Sequence, residues 1–286
     1  DRIVVLDADL MKSMGMIPFK EAFPERAFDV GVQEANMIGV AAGFSATGFI
    51  PFAHSFAPFA TRRCFDQVFL SCGYARLNVR ITGSDPGVTA AFNGGTHMPF
   101  EDMGIMRNVP DITILEPVDS VMLKNLLEQT IDPYGVFYIR LLRKNAVKVY
   151  KEGSSFQIGK AIQLREGKDV TIFATGIMVN EALQAADSLS NEGISARVVN
   201  IFTLTYRQGN DRKMCRRNRR YSYSGKSQYN KRLGFCSGRG VGRDISCAYG
   251  KDRSEGSFWR SRASRLLDEK VRVNFGRYNY KSQGSY

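Results

Sequence analysis

Histidine occurs only twice in the 286 residues, as His54 and His97. His97 ends the loop Ala91-Phe92-Asn93-Gly94-Gly95-Thr96-His97, which follows an apolar run at Leu77–Thr82. A glycine-rich loop at the carboxyl end of a strand is where open α/β sheets place ligands. Taken alone, a histidine beside flexible glycines is more often a surface residue. Glu34 follows Val30-Gly31-Val32-Gln33 and opens a helical stretch of small residues. By itself it reads as a first-turn glutamate favoured by the helix dipole. Phe56 and Phe59 are three apart at what reads as a helix start, a spacing that core packing explains equally well. The sequence has no Walker loop, no G-x-G-x-x-G after a strand and no Cys/His cluster with metal spacing. No metal-ligating set is therefore assigned.

These residues need a frame to bring them together, and the apolar pattern predicts an α/β one. Compact apolar runs at Ile3–Leu6, Ala27–Val30, Leu77–Thr82, Ile112–Leu115 and Val136–Leu141 read as strands buried on both faces. Helical stretches lie between them, at Glu34–Thr47, Pro58–Tyr74, Asp102–Arg107 and Ser120–Thr130. Strands separated by helices imply a parallel sheet covered on both sides. The polar stretch 150–156 breaks the rhythm and reads as a linker between a first domain, 1–149, and a second. The cycle restarts with a strand at Asp169–Ala174, a Thr175-Gly176 turn, a helix at Val179–Asn191 and a strand at Ala196–Phe202. After Leu204 no strand or helix template persists.

Composition sharpens that boundary. Residues 205–286 hold 21 Lys and Arg against 6 Asp and Glu, a net +15. Residues 1–204 hold 19 basic and 22 acidic residues, a net −3. A mildly acidic α/β protein is joined to a basic tail, so the overall +12 is no signature of a nucleic-acid-binding fold. A tail that binds RNA, with Tyr221, Tyr223 and Tyr229 free to stack, is the reading from a different functional class. No apolar run is long enough to span a bilayer. Five cysteines without paired spacing suggest reduced thiols in a cytoplasmic protein.

Several segments, taken in order, resemble the transketolase family over residues 1 to about 204. They are Asp7-Ala8-Asp9-Leu10, Phe23-Pro24-Glu25-Arg26, Val30 to Met37, Phe52 to Phe59, Gly94 to His97 with Glu101-Asp102, Met106 to Pro110, and Tyr138 to Arg143. The resemblance implies a thiamine diphosphate-binding domain of the pyrimidine type, followed by the start of a transketolase C-terminal domain at 157–204. It also implies transfer of a two-carbon ketol unit between sugar phosphates, in carbohydrate metabolism of the pentose phosphate type. Glu34 would hydrogen-bond the N1′ nitrogen of the cofactor's aminopyrimidine, a role suited to a buried carboxyl with a raised pKa. Phe56 and Phe59 would pack around that ring, and Asp9 would lie near the cofactor. Ser13, His54, His97 and Arg143 would meet the sugar-phosphate substrate, with His97 also catalytic and Arg143 suited to a phosphate fork.

Two departures touch substrate recognition. Gly83-Ser84-Asp85-Pro86 stands where the family carries a histidine shortly after the strand, and Phe92-Asn93 replaces an acidic pair. Related thiamine enzymes, 1-deoxyxylulose-5-phosphate synthase and the beta subunits of 2-oxoacid dehydrogenases, are the alternatives within the class. The latter lack the Gly-Gly-Thr-His loop. The family's Gly-Asp-Gly motif, which holds the diphosphate through a Mg or Ca ion, is absent. The resemblance therefore implies a partner subunit carrying that domain, with assembly as a dimer of heterodimers. The chain also begins at a strand where the family has a preceding helix, which suggests missing residues ahead of Asp1.

A displaced reading frame would explain the tail. With permitted codon choices and one common shift of a single base, Gly225–Asn230 can read ENHNI and Arg232–Gly240 GLGSAVAE. Under the same shift Gly250–Arg262 can read ERIGVKDRFGEVG, and Thr205–Ser227 PIDREMIVKCAEETGGIVTAEN. All four resemble the transketolase C-terminal domain, in family order. The expectation is a frame displaced near Thr205 and a disordered or misfolded tail over 205–286.

Overall fold

A computed structural model of the protein describes residues 1–144, 146–205 and 221–224. Strands β1 (Ile3–Asp7), β2 (Ala27–Asp29), β3 (Ile50–Phe56), β4 (Arg80–Ser84), β5 (Thr113–Leu115) and β6 (Phe137–Leu141) run parallel. They form a sheet in the order β5-β6-β4-β3-β1-β2, with β10 (Thr203–Thr205) added antiparallel beside β5. A second sheet holds β8 (Val170–Ala174) and β9 (Ala196–Asn200) in parallel. It is flanked by β7 (Ile162–Arg165), antiparallel to β9, and β11 (Tyr221–Ser224), parallel to β8. The α/β class with a mostly parallel sheet is as the sequence implies.

The helices follow local chemistry. Helix α1 (Ile17–Ala22) has Pro18 in its first turn, where its missing N–H costs nothing. Helix α2 (Glu34–Ala46) buries Met37, Ile38, Ala41 and Ala42, and its small side chains let it sit close over β1 and β3. The predicted helix 58–74 is instead broken. Helix α3 (Ala57–Ala60) stops at Thr61, whose backbone leaves the helical region at φ −123° and ψ −83°. The Thr61 hydroxyl donates to Ala57 O at 2.6 Å. The chain resumes as α4 (Phe65–Gln67) and a wide π-type segment, Val68–Tyr74. The break matters because it turns Arg63 toward Glu34.

Helix α5 (Asp102–Met106) and helix α6 (Ser120–Gln129) complete the first half. Asp119 caps α6, its Oδ1 accepting from Met122 N at 3.0 Å. Helix α7 (Met178–Ser190) turns Val179, Ala182, Ala186 and Leu189 inward, the spacing of an amphipathic helix.

Two apolar clusters fill the interior. The first lies between the large sheet, α2 and the 65–74 segment. The second joins Leu115, Met122 and Ile139 to Val170, Ile172, Val198 and Phe202, so residues before and after 150–156 share one core. Tyr150 and Phe156, inside the stretch read as a linker, stack edge to face at 4.8 Å and belong to it. Gly176, at φ +55°, lies so close to Glu116 that a Cβ would come within 2.4 Å of its carboxylate. Only glycine fits that turn. After Leu204, β11 is a strand where the sequence pattern offered none. Its backbone pairs with β8, from Tyr221 opposite Thr171 to Ser224 opposite Ala174. The expectations of a displaced frame and a disordered tail otherwise fall outside the described residues. No helix among the described residues is long and apolar enough to cross a membrane.

Candidate functional site

The carboxyl ends of β3, β4 and β6 lie in one row, with Phe56 beside Ser84 and Ser84 beside Leu141. The segments leaving these three strands therefore converge on the same edge of the sheet. Phe56 leads into α3, which carries Phe59. Ser84 leads to Asp85, and Leu141 to Arg143. Glu34, at the start of α2, comes in from the neighbouring side.

Glu34 is 3% exposed. Its Oε1 accepts from the Ser55 hydroxyl at 3.3 Å and its Oε2 from Arg63 Nη1 at 2.7 Å. The Arg63 guanidinium lies over the Phe59 ring at 3.9 Å. Phe59 and Phe56 meet edge to face at 6.2 Å, with the His97 ring 4.9 Å from each. Arg143 lies over Phe56 at 4.4 Å and is held in turn by Asp85. The result is one continuous strip: carboxylate, guanidinium, ring, imidazole, ring, guanidinium, carboxylate. Cation–π contacts and ion pairs fix each neighbour on the next.

His54 lies beneath this strip, buried, with no hydrogen-bond partner for Nε2. Burial first, and then the positive charge of Arg143, lower its pKa to about 4. It is a neutral imidazole at ordinary pH. His97 is half buried, and its Nδ1 lies 2.9 Å from the Thr96 hydroxyl. Its position between two phenyl rings is more specific than that of a surface histidine.

Of the residues singled out in the sequence, Glu34, His54, Phe56, Phe59, His97 and Arg143 come together. Asp9 and Ser13 are exposed, on the segment after β1, and their bonds lie away from the strip. Asp9 N donates to Asp29 Oδ1 at 2.9 Å, and Ser13 Oγ donates to Leu10 O at 3.0 Å. Sequence reasoning missed Ser55 and Arg63 as partners of Glu34. The signal for Arg63 was an arginine pair in a segment too polar at 61–63 to continue a buried helix.

A buried network steadies the rim. Arg140 donates to Asp102 through Nε at 2.7 Å and Nη2 at 3.0 Å, and to Glu116 through Nη1 at 2.8 Å. Tyr138 donates to the same Asp102 at 2.9 Å. Burial works against the Arg140 charge, but the two carboxylates outweigh it and hold the guanidinium protonated. Burial and the Asp102 carboxylate push the Tyr138 phenol well above its ordinary range. The network ties α5, which follows the His97 loop, to β6. Among the described residues no group of three His, Cys, Asp or Glu side chains could hold a metal ion.

A buried acid and an aromatic pair thus stand at the carboxyl edge of a parallel sheet, and comparison with known proteins gives the chain's lineage. The transketolase pyrimidine-binding domain profile matches residues 1–148, and the transketolase C-terminal domain profile matches 159–214. The chain belongs to the transketolase family. It is 58% identical over 204 residues to the 6-deoxy-6-sulfo-D-fructose transketolase subunit SqwH of Clostridium sp. (strain MSTE9). That alignment covers 71% of this chain and 63% of the relative, so the chain spans about three fifths of the relative's length. A putative transketolase C-terminal section of Methanocaldococcus jannaschii is 40% identical over 206 residues, covering 71% of this chain and 65% of that protein. Among solved structures, a split-gene transketolase in an inactive beta4 tetramer superposes with a TM-score of 0.77 at 36% identity. That match covers 86% of this chain and 81% of the other.

Proposed function

We propose that this chain is the C-terminal-type subunit of a split transketolase, moving a two-carbon ketol unit between sugar derivatives with a second subunit. The observation that carries the reading is the buried Glu34 carboxylate set beside the Phe56–Phe59 pair. These residues fit one wall of thiamine diphosphate: a carboxyl for a ring nitrogen and apolar rings for the pyrimidine faces. Bound there, the cofactor would supply the carbon nucleophile that carries the ketol unit. This chain's own part is to hold it. Glu34 would share a proton with N1′, Ser55 and Arg63 would orient that carboxyl, and the phenylalanines would exclude water. His97 would exchange a proton with a substrate hydroxyl, and Arg143 would meet the anionic end of the sugar. His54 would add a neutral contact, while Asp9 and Ser13 would serve the cofactor and substrate from the β1 side. A diphosphate-metal domain would come from the partner, since no Gly-Asp-Gly occurs in the sequence. The split-gene relative, solved as an inactive tetramer of one subunit type, is in keeping with that dependence. Cytoplasmic location and assembly as a dimer of heterodimers belong to the same proposal.

The test is to assay ketol transfer with the purified chain alone and with a co-expressed diphosphate-domain subunit, at saturating thiamine diphosphate and magnesium. Turnover is expected only for the pair. Robust turnover by the chain alone would overturn the split reading.

A further inference from the structure

Asp85 is the residue of the strip that the established family chemistry leaves unexplained. It is 1% exposed and sits at φ +52°, a left-handed conformation rarely adopted outside glycine. Three bonds latch it to the segment after β6. Its own N donates to Leu141 O at 2.9 Å, its Oδ1 accepts from Arg143 N at 3.0 Å, and its Oδ2 accepts from Arg143 Nε at 2.5 Å. The guanidinium is then clamped on one edge by Asp85 and on one face by Phe56. Among the described residues Nη1 and Nη2 of Arg143 have no hydrogen-bond partner, so the N–H groups of both are left for a ligand.

The charge balance around that edge is unusual for an oxyanion site. Asp85 cancels the Arg143 charge. His54, the buried imidazole next to Arg143, is neutral. The exposed Lys144 leans over the Phe92 ring at 5.8 Å. Arg63 is spent on Glu34. The N–H groups of Nη1 and Nη2 remain to orient a tetrahedral anion, and a fixed carboxylate stands behind them. The Arg143 attraction and the Asp85 repulsion both scale with the ligand's charge, so at this paired site the two offset each other and a second negative charge gains little. That second charge must still leave water, and the cost of doing so is larger for a dianion than for a monoanion.

We infer that Asp85 is a specificity-determining residue that makes the Arg143 edge select a sugar ending in a monoanionic sulfonate over one ending in a dianionic phosphate. The inference rests on the proposed function, in which Arg143 meets the anionic end of the sugar. It deepens that reading by naming the substrate class. The name of the Clostridium relative, which carries a sulfo sugar, is in keeping with it.

The experiment uses the full chain co-expressed with its diphosphate-domain partner. It compares kcat/KM for 6-deoxy-6-sulfo-D-fructose and fructose 6-phosphate as donors. The native pair is expected to favour the sulfonate at least about tenfold, which corresponds to ~1.4 kcal/mol. Asp85→Asn should bring the ratio to within about threefold, mainly through a lower KM for the phosphate. Asp85→Glu, which keeps the charge, should retain the preference. In parallel, calorimetric titration of ethanesulfonate and ethyl phosphate into the same complex reads the discrimination without turnover. No transfer from either sugar, with ethanesulfonate still bound tighter, would count against ketol transfer while supporting the role of Asp85. A native preference for phosphate, or equal binding of the two anions, would overturn the inference. So would a preference that survives Asp85→Asn unchanged. If Asp85→Asn does not fold, the native comparison and Asp85→Glu still decide the matter.

Discussion

Glu34 takes its partners from two different stretches of chain, Ser55 at the end of β3 and Arg63 beyond the break after α3. A carboxyl held this way can present one proton site in a fixed direction. In the reconstituted pair, Glu34→Gln keeps the shape and removes the ionisable group. Turnover should fall about a hundred- to ten-thousandfold, the usual scale of a lost acid–base group. Exchange of the proton at the cofactor's thiazolium C2, followed by NMR, should slow in parallel. Near-normal exchange would reduce Glu34 to a helix-start residue. A second residue makes a prediction about stability. Asp7 is fully buried at the end of β1, with Oδ2 unpartnered. Lost hydration, opposed by the Leu10 N–H and reinforced by Asp29 and Asp9, raises its pKa from 3.8 to about 6. Because the folded value is the higher one, the unfolded chain releases this proton first. Stability therefore falls as pH rises from about 4 to about 6 and then levels off. Asp7→Asn keeps the acceptor for Leu10 N and removes the charge. It should stabilise the protein by about 1–2 kcal/mol at pH 7, after allowance for solvent screening. The gain should vanish near pH 4 in urea unfolding.

At the scale of elements, the rim depends on groups that cannot be removed singly. Arg140→Met leaves Asp102 and Glu116 buried without their cation, and losses of about 3–5 kcal/mol are typical of such breaks. The helix-turn that follows the His97 loop would lose its anchor, so catalytic geometry should suffer along with stability. Gly176→Ala tests the contact between the two halves from the other side. Positive φ and overlap with Glu116 should together cost at least about 2 kcal/mol. Because Glu116 belongs to the Arg140 network, one cooperative unfolding transition is expected to shift as a whole. Two separated transitions in calorimetry would mean that the halves are independent.

The legibility of these elements had physical causes. Helices α6 and α7 could be read from apolar residues at helical spacing, whereas the Asp119 cap of α6 emerged only in the structure. The apolar strands β1, β6, β8 and β9 stood out as short branched runs. Strand β3 was missed because Ile-Pro-Phe-Ala-His-Ser-Phe mixes a proline and two polar residues into a central strand. Those polar residues face the candidate site: Ser55 bonds to Glu34 and His54 feels the Arg143 charge. The Arg63 and Asp85 contacts were not legible because each joins residues 29 or 58 positions apart, a pairing set only by tertiary packing. Family motifs supplied Glu34, Phe56, Phe59, His97 and Arg143, whereas composition alone supplied none of them.

At the scale of the whole molecule, the question is where the family's sequence stops. The relatives align over 204 to 207 residues, the C-terminal family profile reaches residue 214, and the net charge changes from −3 over 1–204 to +15 over 205–286. We propose a frame displaced near Thr205 as the cause of the charge change, and reading the nucleotides across Phe202–Arg207 tests it directly. The companion test is limited proteolysis with mass spectrometry. The unrepaired chain should be trimmed to a resistant fragment ending before residue 260, while a frame-restored chain should resist cleavage further on. An uncut fragment reaching beyond 260 in the unrepaired chain would show that the tail is a genuine domain.

Strand β11 gives this a smaller and more exacting form. Backbone pairing is indifferent to side chains, so β11 can mark an address beside β8 even where its residues are foreign to the position. Its sequence is Tyr-Ser-Tyr-Ser, whereas the same codons moved one base can read Ile-Val-Thr-Ala. Parallel strands covered on both faces are built from branched aliphatics of that kind. On the displaced-frame proposal, the place in the sheet would be kept while its specifying residues change, and a minimal repair becomes thinkable without restoring the whole frame. Exchanging Tyr221→Ile, Ser222→Val, Tyr223→Thr and Ser224→Ala together should stabilise the second sheet by about 1 kcal/mol, the span of strand preferences. Amide hydrogen exchange along β8 should slow in the exchanged chain. Unchanged exchange would mean that the slot beside β8 carries no memory of its sequence.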